Sequence, residues 1–97
     1  MGREYKIVCD PQAVASFDGF LRSQPYFDSY DAVNSLYNLR ESGIAKEGDW
    51  PDGYASIEPN GVYFCDNLTA TKSAAWILKS LIDQALTHCD RIVVYEP

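Results

Sequence analysis

The order of the apolar runs constrains the fold of this chain more than any other feature. A short strand-like run from Tyr5 to Cys9 comes first, and a tight hairpin covers Tyr54 to Asp66. One long amphipathic helix, Thr69 to Cys89, then precedes a last strand from Arg91 to Tyr95. Because strands alternate with a period of two and helices repeat with a period of about 3.6, these patterns assign a type to each run.

Two helices are predicted between the first strand and the hairpin. Apolar residues recur at helical spacing after Asp10-Pro11, and Pro25 ends this helix because the residue before a proline avoids the helical conformation. A second helix is predicted from Ser29 to Ser42, and Gly43 suits the left-handed position that follows a helix end. Its apolar side is formed by Val33, Leu36, Tyr37 and Leu39. The whole order is therefore β-α-(α)-β-β-α-β.

The hairpin is the clearest local signal in the chain. Two strand-like runs, Tyr54 to Glu58 and Val62 to Asp66, flank the segment Pro59-Asn60-Gly61. Proline pre-sets the backbone angle φ for a turn, and glycine accepts the positive φ that a bulge requires. We expect a type I turn with a glycine bulge at Gly61.

The predicted fold is a two-layer α+β sandwich. With 97 residues the chain has room for one domain, residues 1–97, and one core. The element order is typical of the split β-α-β, or ferredoxin-like, type with a four-stranded, mainly antiparallel sheet whose helices cover one face. Alternation along the strands predicts a helix-covered face with Ile7, Cys9, Ala55, Ile57, Val62, Phe64, Ile92 and Val94, and an open face with Val8, Tyr54, Tyr63, Cys65, Val93 and Tyr95.

The net charge indicates which classes of partner the chain is expected to bind. Asp and Glu number 14 and Lys and Arg number 8, which gives a net charge of −6. A surface of this sign repels the phosphates of nucleic acids and of anionic lipids, so neither a nucleic-acid partner nor a membrane partner is expected. Complementary charge favours a basic protein as partner, although the same charge also serves solubility alone.

The three cysteines, Cys9, Cys65 and Cys89, form no metal-binding or redox motif. None belongs to a C-x-x-C pair, and each is part of an apolar run, where a reduced thiol packs as a small hydrophobic group. Reduced core cysteines are typical of cytoplasmic proteins, so the cytoplasm is the expected compartment. No metal ion or other cofactor is predicted, and no apolar run is long enough to span a membrane.

No catalytic set is recognisable, so an enzyme is not expected. His88 is the only histidine, and it falls in the last turn of the long helix, where a partly protonated imidazole suits the negative helix end. The predicted topology brings Glu4, Asp66 and Glu96 to one end of the sheet, where carboxylates can bind a divalent cation, but strands routinely end in charged residues. An enzyme that uses these carboxylates, or an exposed thiol at Cys65, is the lowest-ranked alternative.

Aromatic residues are the candidates for partner binding. Trp76 lies on the polar side of the long helix and Trp50 lies in an acidic loop, and aromatic anchors are favoured at protein interfaces. Stacking on Lys72, or cover by the loop of residues 45–53, would accommodate Trp76 without a partner. Trp76→Ala is predicted to leave stability nearly unchanged and to weaken association. The open face adds Tyr54, Tyr63 and Tyr95 as candidates.

The last helix and strand carry a family resemblance. The segment Leu86-Thr87-His88-Cys89-Asp90-Arg91-Ile92-Val93-Val94 resembles the end of the barstar family of ribonuclease inhibitors. The resemblance implies an inhibitor that captures a basic partner. It covers only the final helix and strand, and the Pro59-Asn60-Gly61 hairpin departs from the all-parallel sheet of that family, so no residue role is carried over.

Two functions are the leading hypotheses. The first is a small acidic protein-interaction module, an inhibitor or immunity-type protein that binds a basic partner, with self-association through the open face as the other form of interaction. The alternative is a regulatory domain of ferredoxin-like type that binds a small molecule and acts as a dimer, which is an analogy at the level of the fold.

Overall fold

A computed structural model describes residues 2–40, 51–67 and 71–97. Its elements are β1 (Arg3–Val8), α1 (Pro11–Ser23), β2 (Phe27–Asp31), β3 (Leu36–Leu39), β4 (Gly53–Glu58), β5 (Gly61–Asp66), α2 (Thr71–His88) and β6 (Val93–Tyr95). The predicted α+β class is confirmed. The predictions for Gly43 and Trp50 lie outside the described residues.

The sheet has six strands in the order β2-β3-β4-β5-β1-β6, and each neighbouring pair is antiparallel. The strands predicted from the sequence lie side by side as β4-β5-β1-β6, and β2 and β3 extend the sheet beyond β4. The four-stranded ferredoxin-like sheet is therefore not confirmed. The antiparallel pairing also differs from the parallel sheet that the barstar resemblance implies.

The predicted helix from Ser29 to Ser42 is wrong, because its described part forms β2, a turn and β3. The Asp31 carboxylate accepts hydrogen bonds from the backbone N–H groups of Val33 (3.0 Å) and Asn34 (3.2 Å), which fixes the turn. Val33, predicted on the apolar side of the helix, is 92% exposed. Turn chemistry and the strand preference of the flanking aromatic residues thus outweigh a weak helical periodicity.

The hairpin between β4 and β5 is confirmed, but its turn differs from the prediction. Glu58 pairs directly with Gly61, so Pro59 and Asn60 alone make the turn, and the φ of Gly61 lies outside the left-handed region. The predicted glycine bulge is therefore wrong. Glycine is required here by space instead, because a Cβ atom at position 61 would overlap the carbonyl oxygen of Ile7 in β1.

Both helices pack on one face of the sheet. The α1 helix begins at Pro11 after Asp10 and ends at Ser23, before Pro25, as predicted. Hydrogen bonds tie the helical layer together, from Gln84 to Ser16 (2.9 Å) and between the hydroxyls of Tyr26 and Ser80 (2.7 Å). The buried core includes Ile7, Phe17, Leu21, Leu39, Ala55, Val62, Phe64, Ile77, Leu81 and Ala85.

Candidate functional site

The open face is the side of the sheet opposite to α1 and α2, and no described element covers it. Strand register places Tyr63 directly beside Lys6, and Tyr95 lies on the other side of Lys6. Tyr54 lies beside Cys65 in the neighbouring row. The structure thus brings together the three tyrosines that alternation predicts for this face. The open face carries Glu4, Lys6, Tyr54, Ser56, Glu58, Tyr63, Cys65, Val93 and Tyr95.

Carboxylates give the open face its charge. The Tyr63 hydroxyl donates a hydrogen bond to Glu4 Oε1 (3.1 Å). Burial, and then this hydrogen bond, raises the pKa of Tyr63, so the phenol stays protonated at neutral pH. The Lys6 ammonium pairs with the Glu58 carboxylate at 3.2 Å. Among the described residues, no cation pairs with Glu4.

The cysteines are free thiols in the structure. Burial raises the pKa of Cys65 and of Cys9, which lowers the thiolate fraction and hence the nucleophilicity of both at neutral pH. Cys65 lies opposite Glu4 at one end of β1 and Cys9 follows its other end, so the two thiols lie at opposite ends of the strand. Cys9 instead lies near Cys89, whose Sγ accepts a hydrogen bond from the Asp10 N–H (3.4 Å).

The predicted carboxylate group at the sheet end is divided between two faces. Glu4 lies on the open face, whereas Asp66 is buried on the helix-covered face. Glu96 pairs with Arg3 at 2.7 Å. Within the described ranges, no three His, Cys, Asp or Glu side chains are grouped closely enough to hold a metal ion. His88 is the last residue of α2, so its predicted place in the last turn of the helix is confirmed.

Trp76 lies in the helical layer, away from the tyrosines. Its side chain is 68% exposed on α2, so the predicted exposure is confirmed. The indole borders a groove of about 220 Å³, at whose rim Lys79 pairs with Asp83 at 2.7 Å. Its role as a partner anchor stays a prediction. Because Trp76 and the tyrosines lie on opposite sides of the sandwich, one small partner cannot contact both.

A cluster around Arg22 was missed by the sequence reasoning, because residues 29–42 were predicted to be helical. The Arg22 guanidinium lies over the ring of Tyr30, 4.9 Å from its centroid, and donates to Asp18 at 2.9 Å. The Tyr37 hydroxyl donates to the same carboxylate at 2.6 Å. These contacts fasten the β2–β3 pair to α1. Two sequence features could have indicated the β2–β3 pair: the alternation of Tyr30 with its polar neighbours, and the turn-forming residue Asp31.

A second cavity, of about 350 Å³, lies on the helix-covered side between α2 and β1. Its apolar wall includes Tyr5, Leu78 and Ile82, and charged groups lie at Arg3 and Lys79. The buried carboxyl group of Asp66 also lines it. The volume falls at the lower end of the range that small-molecule sites occupy, about 300–1,000 Å³.

Two features thus stand out, the charged aromatic open face and the cavity beside α2. In the part of the chain that the structure describes, no helix is both long and apolar enough to cross a membrane. Comparisons with models of protein families, with curated proteins and with solved structures find no match to this chain.

Proposed function

We propose that this chain is a small acidic protein-interaction module that binds a basic protein through its open face. The observation that carries the proposal is the Glu4 carboxylate, which lies beside Tyr63 with no cation to neutralise it among the described residues. A lysine or arginine side chain of a partner would supply the missing charge, and complementary charge also raises the rate of association.

The tyrosines of the open face suit the same partner. Tyr54 and Tyr63 are partly buried in the sheet, so their rings are held by neighbouring side chains and little conformational entropy is lost on binding. Aromatic rings also attract cations through their faces, with Arg favoured over Lys. Lys6, a cation of this face, is already paired with Glu58. The open face therefore combines a net negative charge with aromatic rings, and both features favour contact with a basic surface of the partner.

The test is a charge substitution with a matched control. Glu4→Gln keeps the shape of the side chain and removes its charge, and Asp83→Asn removes one charge from the opposite layer. Affinity capture from native lysate identifies the retained protein by mass spectrometry, and calorimetry with that purified protein then gives the dissociation constant. We expect a basic partner whose affinity falls about tenfold in Glu4→Gln, or about 1.4 kcal/mol, and is unchanged in Asp83→Asn.

Trp76→Ala is the second comparison in the same assay. Loss of the partner in Trp76→Ala, together with full affinity in Glu4→Gln, would move the binding site to α2 and contradict the open-face proposal. An equal loss of affinity in Glu4→Gln and Asp83→Asn would show that the overall charge of the chain, and not the open face, determines binding. An acidic partner, or one whose affinity does not fall with rising salt, would also contradict it.

The cavity beside α2 favours a second candidate, a regulatory domain that binds a small metabolite. In this proposal β4, β5, β1 and β6 form a ferredoxin-like core, to which β2 and β3 are an addition. Arg3 and Lys79, which pair with the exposed Glu96 and Asp83, would exchange these carboxylates for a carboxylate or phosphate of the ligand, while Leu78 and Ile82 suit an apolar group. A free amino acid or a nucleotide has this combination.

Thermal unfolding with a panel of amino acids and nucleotides tests this candidate. A ligand present at about 100 times its dissociation constant adds about 2.7 kcal/mol, which raises the Tm of a domain of this size by roughly 10 °C or more. Ala75→Trp, which fills the cavity from an exposed position on α2, is expected to abolish the shift. A flat response across the panel, or a shift that persists in Ala75→Trp, would rule the cavity out.

A further inference from the structure

The two edges of the sheet are built differently. The β2 edge has an irregularity in its pairing between Phe27 and Ser29 and exposes Asp28. A bulge and charged side chains are devices that keep an edge strand from pairing with another chain. The β6 edge, Val93–Tyr95, is protected only by its short length of three residues, and it has neither a bulge nor a charged side chain. Its three residues are apolar, β-branched or aromatic, and all are exposed, with Val93 at 57%.

We propose that β6 pairs with β6 of a second copy of this chain, antiparallel and about a two-fold axis at Val94. A strand at a sheet edge has unpaired backbone N–H and C=O groups, and a second identical strand satisfies both sets at once. The two six-stranded sheets then continue into one another. A two-fold axis is the commonest symmetry of soluble homo-oligomers, and it closes the assembly at two copies.

The register follows from the faces of the sheet. A two-fold axis perpendicular to the sheet keeps the open face of one copy continuous with that of the other, so residues of equal parity pair. With Val94 on the axis, Val93 lies opposite the partner's Tyr95, and both side chains are on the open face. Pairs of an aromatic with a β-branched residue are among the stabilising cross-strand pairs, at about 0.2–1 kcal/mol each.

Charge distinguishes this register from the nearest alternative. An axis at Val93 would place Asp90 opposite the partner's Glu96, and like charges directly opposite are destabilising. The axis at Val94 avoids this contact and brings Arg91 beside the end of the partner strand that carries Glu96, which pairs with Arg3 in its own copy. Arg91 is exposed and makes no ion pair with any described residue. Repulsion between the −6 charges of the two copies is screened beyond about 8 Å at physiological ionic strength.

Sedimentation equilibrium tests the dimer, with a matched pair of lysine substitutions. The chain has a mass of 10.9 kDa. We expect the wild-type mass to rise toward twice this value between about 10 µM and about 1 mM, the range in which an interface below about 1,200 Å² dissociates. Val93→Lys is expected to weaken the dimer about tenfold or more. Val33→Lys, at a more exposed valine in the β2–β3 turn, is expected to leave it unchanged.

A cysteine on the proposed axis tests the register itself. Val94→Cys places two thiols opposite each other, within the Cα separation of about 4.4–6.8 Å that a disulfide needs. Oxidised glutathione, which is reduced as the two thiols lose their protons, is expected to give a covalent dimer of Val94→Cys and none of Val33→Cys. Circular dichroism of each variant checks that the monomer is folded. A monomeric wild type up to 1 mM, or a dimer that survives Val93→Lys and fails to cross-link at position 94, would overturn the proposal.

Discussion

Gly61→Ala is expected to lower the free energy of unfolding by about 3 kcal/mol or more, the upper range for overpacking a core. Gly61 pairs with Val8 in β1 and with Glu58 in β4, so it lies between two strands. A Cβ atom there would overlap the carbonyl oxygen of Ile7 and lie close to the Cα of Val8. Both obstacles are backbone atoms, which cannot rotate away. The alanine therefore separates β5 from β1 at this point.

Gly19→Ala is the matched control, because the same methyl group meets nothing there. Gly19 is exposed in the middle of α1, and apart from its chain neighbours and the backbone of its own helix no heavy atom lies within 4 Å of an added Cβ. Alanine loses less backbone entropy than glycine in a helix, so we expect a gain of about 0.5–1 kcal/mol. Urea unfolding followed by circular dichroism measures both variants. Equal midpoints for Gly61→Ala and wild type would contradict the close approach of β5 to β1.

Phe64→Ala is the second large effect, with an expected loss of about 3–5 kcal/mol. Phe64 is fully buried in β5, and its ring stacks on Tyr5 with a centroid distance of 6.3 Å. Its ring also comes within 2.8 Å of the place where a side chain at Gly53 would begin. The β4 backbone at Gly53 and the Tyr5 ring of β1 therefore flank the Phe64 ring, and the backbone cannot move readily into the space that alanine leaves.

Trp76→Ala provides the comparison for Phe64→Ala, since it removes a larger aromatic side chain from an exposed position. We expect its stability to change by less than about 1 kcal/mol, because surface substitutions act weakly. Thermal and urea unfolding measure both variants under the same conditions. A loss of several kcal/mol in Trp76→Ala would show that the indole packs against the chain, and it would remove Trp76 from the candidates for partner binding.

Much of the fold was predictable because its signals are local. Pro25 ends α1 because the residue before a proline avoids the helical conformation. The alternation of β5 assigns Phe64 to the core and Tyr63 to the open face without knowledge of the partner strands. The hairpin was found from Pro59 and Gly61. The steric role of Gly61 could not be predicted, because the strand that excludes a side chain there is β1, more than fifty residues earlier in the chain.

The β2–β3 pair was missed because a short apolar run fits two periods. Leu36 and Tyr37 suit a helix by spacing and a strand by residue type. The tertiary contact that decides between them is the packing of the tilted Tyr30 and Tyr37 rings against each other and against Arg22. That contact joins a helix to two strands. It depends on the position of β2 and β3 in the sheet, which no local sequence pattern specifies.

The candidate site was predictable in part for the same reason. Alternation placed Tyr54, Tyr63 and Tyr95 on one face, but the hydrogen bond from Tyr63 to Glu4 requires β5 to lie beside β1. The approach of Cys9 to Cys89 depends likewise on where α2 ends relative to the first strand.

The position of β1 between β5 and β6 sets the timing of folding during synthesis. Among the described strands the ribosome releases β1 first, at roughly 5–20 residues per second, yet its sheet neighbours β5 and β6 are both made later. The consecutive strands β2 to β5 can pair as they emerge, because their contacts are short in sequence. The apolar side of β1 must wait for them. A nascent chain is therefore expected to expose Tyr5 and Ile7 until β5 has left the ribosome.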